Sequence, residues 1–343
     1  MHKKLAVIFI VALGVATACC GQARAQMLIN AAGSTFGYPI YSKWFQEYAK
    51  ANPGDHFNYQ SIGSGGGIKM LFDHTVAMGA SDAPLTDEQQ SRAPSKVLHF
   101  PSVMGAVVVI YNLQGINQKI RLTGPVLADI YLGKVTKWND PEIAGLNPGL
   151  KLPAEDIVAC HRSEGSGTTY IFADYLSKVS PEWAAQVGKG TALKWPAGLG
   201  GKGSEGVTAL VQQTPGAIAY VELTYALANK ITFAEMRNHD GKWIGASLKS
   251  VTAAAAGAAA NMPADFRVSI TDAPGAGAYP ISSFTWLLIY QHQSDKAGGA
   301  QVIKFLQWAL TDGQRYAAQL YYAPLPETVV KMELKQLQQV QLP

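Results

Sequence analysis

The sequence predicts an α/β protein built as two lobes joined by two crossing strands. Strand-like and helix-like stretches alternate from residue 27 onward, a pattern that calls for parallel sheets covered by helices. The two most continuous β-type apolar runs, Gly105 to Asn112 and Ser283 to Tyr290, bracket a block of about 170 residues, as the connecting strands of a bilobal chain would. With 343 residues, 48% hydrophobic and only 15% charged, the chain can bury two cores, which excludes a disulfide mini-scaffold and extended disorder.

The N-terminus reads as an address. Lys3 and Lys4 precede the apolar run Leu5 to Ala18, and Ala23-Arg24-Ala25 offers a small-x-small cleavage site, so residues 1–25 are expected to be a signal peptide and the mature chain to be exported. The run is too short and wrongly flanked for a membrane span. Cys19 or Cys20 could carry a lipid anchor, but the residues before them lack the usual Leu, and simple cleavage fits better. Only Cys160 remains in the mature chain, so no disulfide framework is expected. The formal net charge of +4 owes much to Lys3, Lys4 and Arg24 and falls to about +1 without them. With no Lys/Arg run, nucleic acid is not expected as a partner.

Met27-Leu-Ile-Asn-Ala-Ala32 reads as the first strand and ends in Gly33-Ser-Thr-Phe-Gly37. Tyr41, Trp44, Phe45 and Tyr48 then fall at i, i+3, i+4 and i+7, the spacing of an amphipathic helix. A second unit follows: strand Phe57 to Ile62, loop Gly63 to Gly67, and a helix with Ile68, Leu71 and Phe72 on one face. Ala77 to Asp82 is a short strand ending on an acid. Inside the central block, Ile171/Tyr175/Val179 and Val207/Leu210/Val211 mark helices and Gly216 to Glu222 a strand, while Ala253 to Ala260 favours helix despite Gly257. After Ser283 the chain is expected to return to the first lobe and end in helices such as that of Val302, Phe305, Leu306 and Ala309.

One device occurs three times. Ser34-Thr35-Phe36, Ser64-Gly65-Gly66 and Gly165-Ser166-Gly167-Thr168 each sit between a strand-like run and a helix. Each places free backbone N–H groups at a helix N-terminus, where the dipole favours an anion, glycine permits close approach and hydroxyls add donors. Any one of them alone reads as an ordinary N-cap or turn. Three such turns, all at the strand-to-helix positions where α/β ligands bind, point to a shared oxyanion.

Arg162 precedes the third turn, and its guanidinium fork matches tetrahedral oxyanions bidentately. Glu164 could orient that fork, and a surface Arg–Glu pair of little worth is the competing reading. Asp82 repels an anion unless the anion brings a proton, as hydrogen phosphate does and sulfate does not, so a buried Asp82 would select by rejecting the unprotonated competitor. The commoner role for an isolated Asp before Ala83-Pro84 is an N-cap or Asx-turn residue.

Eight segments carry a resemblance. Ala32-Gly-Ser-Thr-Phe36, Ile62-Gly-Ser-Gly-Gly-Gly67, Gly79-Ala-Ser-Asp-Ala-Pro-Leu85, Asp129-Ile-Tyr-Leu-Gly133 with Lys137-Trp-Asn-Asp140, Gly165-Ser-Gly-Thr168, Gly198-Leu-Gly-Gly-Lys-Gly203 and Pro215-Gly-Ala-Ile-Ala-Tyr-Val-Glu222 are similar, in the same order, to the PstS family of periplasmic phosphate-binding proteins. The resemblance spans essentially the whole mature chain. It implies a two-lobed periplasmic binding protein fold of type II, each lobe a mixed sheet flanked by helices, with residues 26–106 and 283–343 in one lobe and 107–282 in the other. It also implies a monomeric, non-enzymatic receptor without cofactor or metal, whose partners are inorganic phosphate and the membrane permease subunits of a phosphate ABC transporter.

The family's ligand positions match Thr35, Phe36, Ser64, Asp82, Arg162, Ser166, Gly167 and Thr168. By that resemblance Phe36, Gly167 and Thr168 contribute backbone N–H groups, the hydroxyls of Thr35, Ser64, Ser166 and Thr168 are further donors, Asp82 is the acceptor, and Arg162 pairs with phosphate, held by Glu164. Two positions depart from the family pattern. Glu164 stands where Asp is expected, adding a methylene to the clamp, and Gly65 stands where Ser is frequent.

Two rival functions are weighed against this. Gly198-Leu-Gly-Gly-Lys-Gly203 satisfies G-x-G-x-x-G and has Glu222 about twenty residues on, as a dinucleotide-binding enzyme would. The preceding Ala192 to Pro196 is a poor central strand, and a structural glycine turn fits better. A secreted phosphohydrolase would also bind an oxyanion. No G-x-S-x-G, H-E-x-x-H or P-loop motif occurs, and His56, His74, His99, His161, His239 and His292 lack metal-ligand spacing.

Overall fold

The computed structural model describes residues 27–116 and 118–343; the expected signal peptide, with Cys19 and Cys20, lies outside the described residues. Strand β1 (Met27–Gly33) leads into helix α1 (Tyr38–Ala51), which buries Tyr41, Trp44, Phe45 and Tyr48, as their spacing predicts. Strand β2 (Asp55–Ser61), helix α2 (Ser64–Phe72) and strand β3 (Met78–Ser81) repeat the unit, so β1 lies between β2 and β3 with both neighbours parallel to it. Gly33 closes this ladder at φ +139°, where a Cβ would stand 2.0 Å from the Ala80 carbonyl oxygen, so only glycine fits.

Helix α3 (Asp87–Arg92), opened by a capping box between Thr86 and Gln89, precedes strand β4 (Val97–Tyr111). All fifteen residues of β4 are buried, and the strand starts eight residues before the apolar run read from the sequence. Its first half carries His99 and Pro101, which hide the strand pattern. Pro101 is tolerated because it pairs with Trp286 beside a register shift between Thr285 and Trp286.

The central block adds strand β5 (Arg121–Leu122), helices α4 (Gly124–Tyr131) and α5 (Pro141–Leu146), and strand β6 (Val158–Arg162). Helices α6 (Gly167–Val179) and α7 (Pro181–Gln186), strand β7 (Leu199–Gly201), helix α8 (Gly203–Gln213) and strand β8 (Ala217–Glu222) follow. Next come helix α9 (Leu223–Ala228), strands β9 (Glu235–Arg237) and β10 (Trp243–Ile244), and helix α10 (Leu248–Ala260). Strand β11 (Ser282–Tyr290) and helices α11 (Lys296–Leu310) and α12 (Glu327–Leu337) complete the chain.

Eight strands form one mixed sheet in the order β2-β1-β3-β11-β4-β8-β6-β7, and β10-β9-β5 form a small second sheet. Strand β4 holds the large sheet together by changing partners. Residues 97–106 pair antiparallel with β11 and residues 107–111 pair antiparallel with β8, so the change falls between Ala106 and Val107. Each side has its own aromatic packing: Phe45, Phe57 and Phe305 on one, and Tyr131, Phe172 and Tyr220 on the other. The two groups bury the large side chains that alternating units must hide to be stable.

Candidate functional site

The three strand-to-helix turns converge. Ser64, first residue of α2, accepts the Gly167 N–H at 3.0 Å and the Asp82 N–H at 3.2 Å through its Oγ. Thr35 Oγ1 lies 2.8 Å from Ser204 Oγ at the start of α8, and Arg162 Nη1 approaches both Thr168 Oγ1 (3.4 Å) and Ser204 Oγ (3.5 Å). All eight residues singled out in the sequence are buried, and Glu164 is half-buried. Ser166 is the N-cap of α6, where its Oγ accepts the Thr169 N–H at 3.1 Å and keeps its own hydrogen for another partner. Phe36 packs its ring beside Tyr322, while its carbonyl accepts the Tyr322 hydroxyl at 2.6 Å.

The charged pair is built into the strand ends. Arg162 closes β6, is only 3% exposed, and bonds Glu164 through Nε (2.8 Å) and Nη2. The longer Glu164 side chain therefore still clamps the fork. Its carboxylate also accepts the Gly203 N–H, at 3.2 Å to each oxygen, tying the clamp to the start of α8. That contact explains the G-x-G-x-x-G segment. Its Leu199–Gly201 stretch pairs in parallel with Cys160–Arg162, and the helix N–H at Gly203 is taken by a side chain of this protein.

Gly65 is explained by the facing backbone. Its N–H donates to the Gly165 carbonyl at 2.9 Å, and a Cβ there would stand 3.0 Å from Gly165 Cα. A serine would force the two turns apart.

Asp82 is 1% exposed at the end of β3. Burial pushes its carboxyl up to about 6, opposed by hydrogen bonds from Ser34 and Thr285, the charge of Arg162 and a longer contact to Ser64. The sequence reading did not assign Ser34, Ser204, Thr285 or Tyr225 to the site. Tyr225 donates its hydroxyl to the Thr35 carbonyl at 2.8 Å. Ser34 sat inside a motif already noted, and Ser204 follows the glycine turn directly. Thr285 in an apolar strand carries no local signal.

The histidines serve other purposes. Buried His99 accepts the Leu85 N–H at 3.0 Å through Nε2, and burial pushes its imidazole down to about 4. His161 stacks on Trp195. Cys160 is a buried thiol that burial pushes up to about 11. Among the described residues no cluster of three or more His, Cys, Asp or Glu could hold a metal ion, and no helix is long and apolar enough to cross a membrane.

Comparison with known proteins matches residues 20–312 to the PBP superfamily domain. The chain is 47% identical over 304 residues to the phosphate-binding protein PstS of Xylella fastidiosa strain Temecula1, covering 88% of this chain and 83% of that one. The chain belongs to the PBP superfamily and, within it, to the PstS family. A second PstS, from Haemophilus influenzae, is 42% identical over 90% of this chain and 94% of its own. The solved phosphate-binding protein of Stenotrophomonas maltophilia superposes with a TM-score of 0.70 at 18% identity, covering 90% of this chain and 93% of that one. The architecture is thus the two-lobed fold expected from the sequence, and PstS membership places the converging turns in a family of binding proteins.

Proposed function

We propose that this chain is an exported receptor that binds inorganic phosphate between two lobes and delivers it to an ABC transporter for import. The observation that carries the reading is one buried carboxylate, Asp82, set among donors: the Ser64 hydroxyl, the N-terminus of α6 and the fork of Arg162. Such a site rewards an oxyanion that brings one proton and repels one that brings none. In this reading Thr35, Ser64, Ser166 and Thr168 offer hydroxyls, Phe36, Gly167 and Thr168 offer backbone N–H groups, Arg162 pairs with the anion and Glu164 holds the fork.

The lobes are residues 26–106 with 283–343, and residues 107–282; the partner change of β4 at Ala106/Val107 supports that division. Contacts between them at Thr35–Ser204, Tyr225–Thr35 and Gly65–Gly165 support a closed arrangement in which the anion is shielded from water. The chain acts as a periplasmic monomer released by cleavage after residue 25, docking on permease subunits and catalysing nothing. A dinucleotide site is disfavoured by the Glu164–Gly203 contact. Hydrolysis is disfavoured because the acceptor positions of Ser64 Oγ are filled by two backbone N–H groups, and the one carboxylate near it, Asp82, is 3.5 Å away at a long hydrogen-bond distance.

The test is calorimetric titration of residues 26–343, stripped of bound anion, with phosphate and then sulfate. One-to-one phosphate binding at about −8 kcal/mol or stronger, with sulfate silent, is the expected result. A folded, anion-free protein that ignores phosphate would overturn the assignment.

A further inference from the structure

Asp82 is held by one of its two oxygens. Ser34 Oγ and Thr285 Oγ1, the latter at 2.7 Å, both bond Oδ1, whereas Oδ2 has only Ser64 Oγ at 3.5 Å. Counting hydrogens fixes the direction of these bonds, because each hydroxyl has one to give. Ser34 Oγ accepts the Gly37 N–H at 2.9 Å and directs its hydrogen to Asp82. Ser102 Oγ gives its hydrogen to the Thr285 carbonyl at 2.9 Å, so Tyr41, 2.8 Å away, must donate to Ser102. The Thr285 hydrogen has three acceptors in reach, Tyr41 Oη at 3.1 Å, the Ser81 carbonyl at 3.5 Å and Asp82 Oδ1 at 2.7 Å, and it goes to the ionised carboxylate, which can only accept and makes the shortest contact.

We propose that Thr285 is a specificity-determining positioning residue: together with Ser34 it saturates Oδ1 of Asp82 with donated hydrogens and so dedicates Oδ2 to accepting the hydroxyl of a singly protonated tetrahedral oxyanion. The inference rests on the phosphate reading above. A doubly donated Oδ1 disfavours a proton there and fixes the carboxylate plane. A proton taken by Asp82 therefore goes to Oδ2, where it removes the acceptor the ligand needs. Thr285 reaches this point from β11, 203 residues along the chain, because β11 pairs with β3 and places Trp286 opposite Ser81. Arg162 from β6, Tyr41 from α1, Tyr59 from β2, Glu222 at the end of β8 and Tyr322 also act on Asp82 or feel its charge. Of these, only Arg162 favours the ionised carboxylate.

Thr285→Val removes the donor at nearly constant shape in a strand that tolerates β-branching, and Thr285→Ser keeps the donor. Phosphate and sulfate titrations between pH 5 and 9 are paired with carbon-13 NMR titration of the Asp82 carboxyl in the ligand-free protein. The valine variant should move the Asp82 midpoint up by about one pH unit and cut phosphate-over-sulfate discrimination about tenfold at pH 7, with serine restoring both. An unmoved midpoint in a folded valine variant, or a serine variant as altered as valine, overturns the proposal. Should the unmodified protein fail to bind phosphate, the phosphate reading falls by itself, and the carboxyl titration still decides whether Thr285 governs Asp82.

Discussion

Gly65 and Gly165 meet backbone to backbone: the N–H of one bonds the carbonyl of the other at 2.9 Å, with no room for a side chain between them. Gly65→Ala should therefore hold the two turns apart and weaken phosphate binding by about 1 kcal/mol or more, while leaving the ligand-free melting temperature nearly unchanged. Calorimetry and a thermal melt on the same sample check this. Full affinity in the variant would show that the turns need not touch in the bound state.

Asp82→Asn replaces an obligate acceptor with a group that can also donate. Sulfate, which has no hydrogen to offer, should become a measurable ligand, and the preference for phosphate should shrink by about 1.5–3 kcal/mol, the worth of a hydrogen bond to a charged group. Competition titration of both anions reads the ratio directly. A preference that survives intact would remove Asp82 from the selecting role.

Arg162→Ala deletes a buried cation and strands the Glu164 carboxylate beside an anion site. Phosphate affinity should fall by about 2 kcal/mol or more, and the loss should persist at high salt because the pair is buried rather than screened. Titrations at low and high ionic strength separate these cases. A loss that vanishes in salt would mean the guanidinium acts from solvent.

Glu333 in α12 is fully buried, neither carboxylate oxygen has a partner, and burial pushes its carboxyl well above the usual range. The folded protein therefore retains this proton more strongly than the unfolded chain. Its contribution to stability is complete below the unfolded value and is lost as pH rises toward the folded one. Glu333→Gln should raise the urea midpoint of the ligand-free protein at pH 8 and change it much less at pH 5. His99 shifts in the opposite sense, losing stability as pH falls from about 6.5 toward 4, so the comparison must be between variant and parent at each pH. An equal effect at both pH values would show that Glu333 does not titrate with folding.

Much of this molecule could be read from local pattern. The aromatic spacing of α1, the three glycine-flanked turns and the Arg162/Glu164 pair all signal through neighbours in sequence, where helical period and turn chemistry act. What escaped depends on distant partners. The first half of β4 was hidden by Pro101, whose acceptability depends on a register shift in β11. The two-residue strands β5 and β10 are too short to show alternation. Thr285 and Ser204 became site residues only when β11 came to lie beside β3 and α8 beside Thr35, pairings that no window of sequence contains.

Strand β4 is laddered to β11 and then to β8, skipping only Ser102 at the register shift, with no gap at Ala106/Val107 where the two sides could simply part. A chain arranged this way behaves as a torsion bar. Relative rotation of its two ends is absorbed as extra twist spread over several peptide groups, a deformation strands already carry in part. In the proposed receptor, opening would break only the contacts at Thr35–Ser204, Tyr225–Thr35 and Gly65–Gly165 and leave the ladder intact. On that reading, capture and release need no step that resembles unfolding.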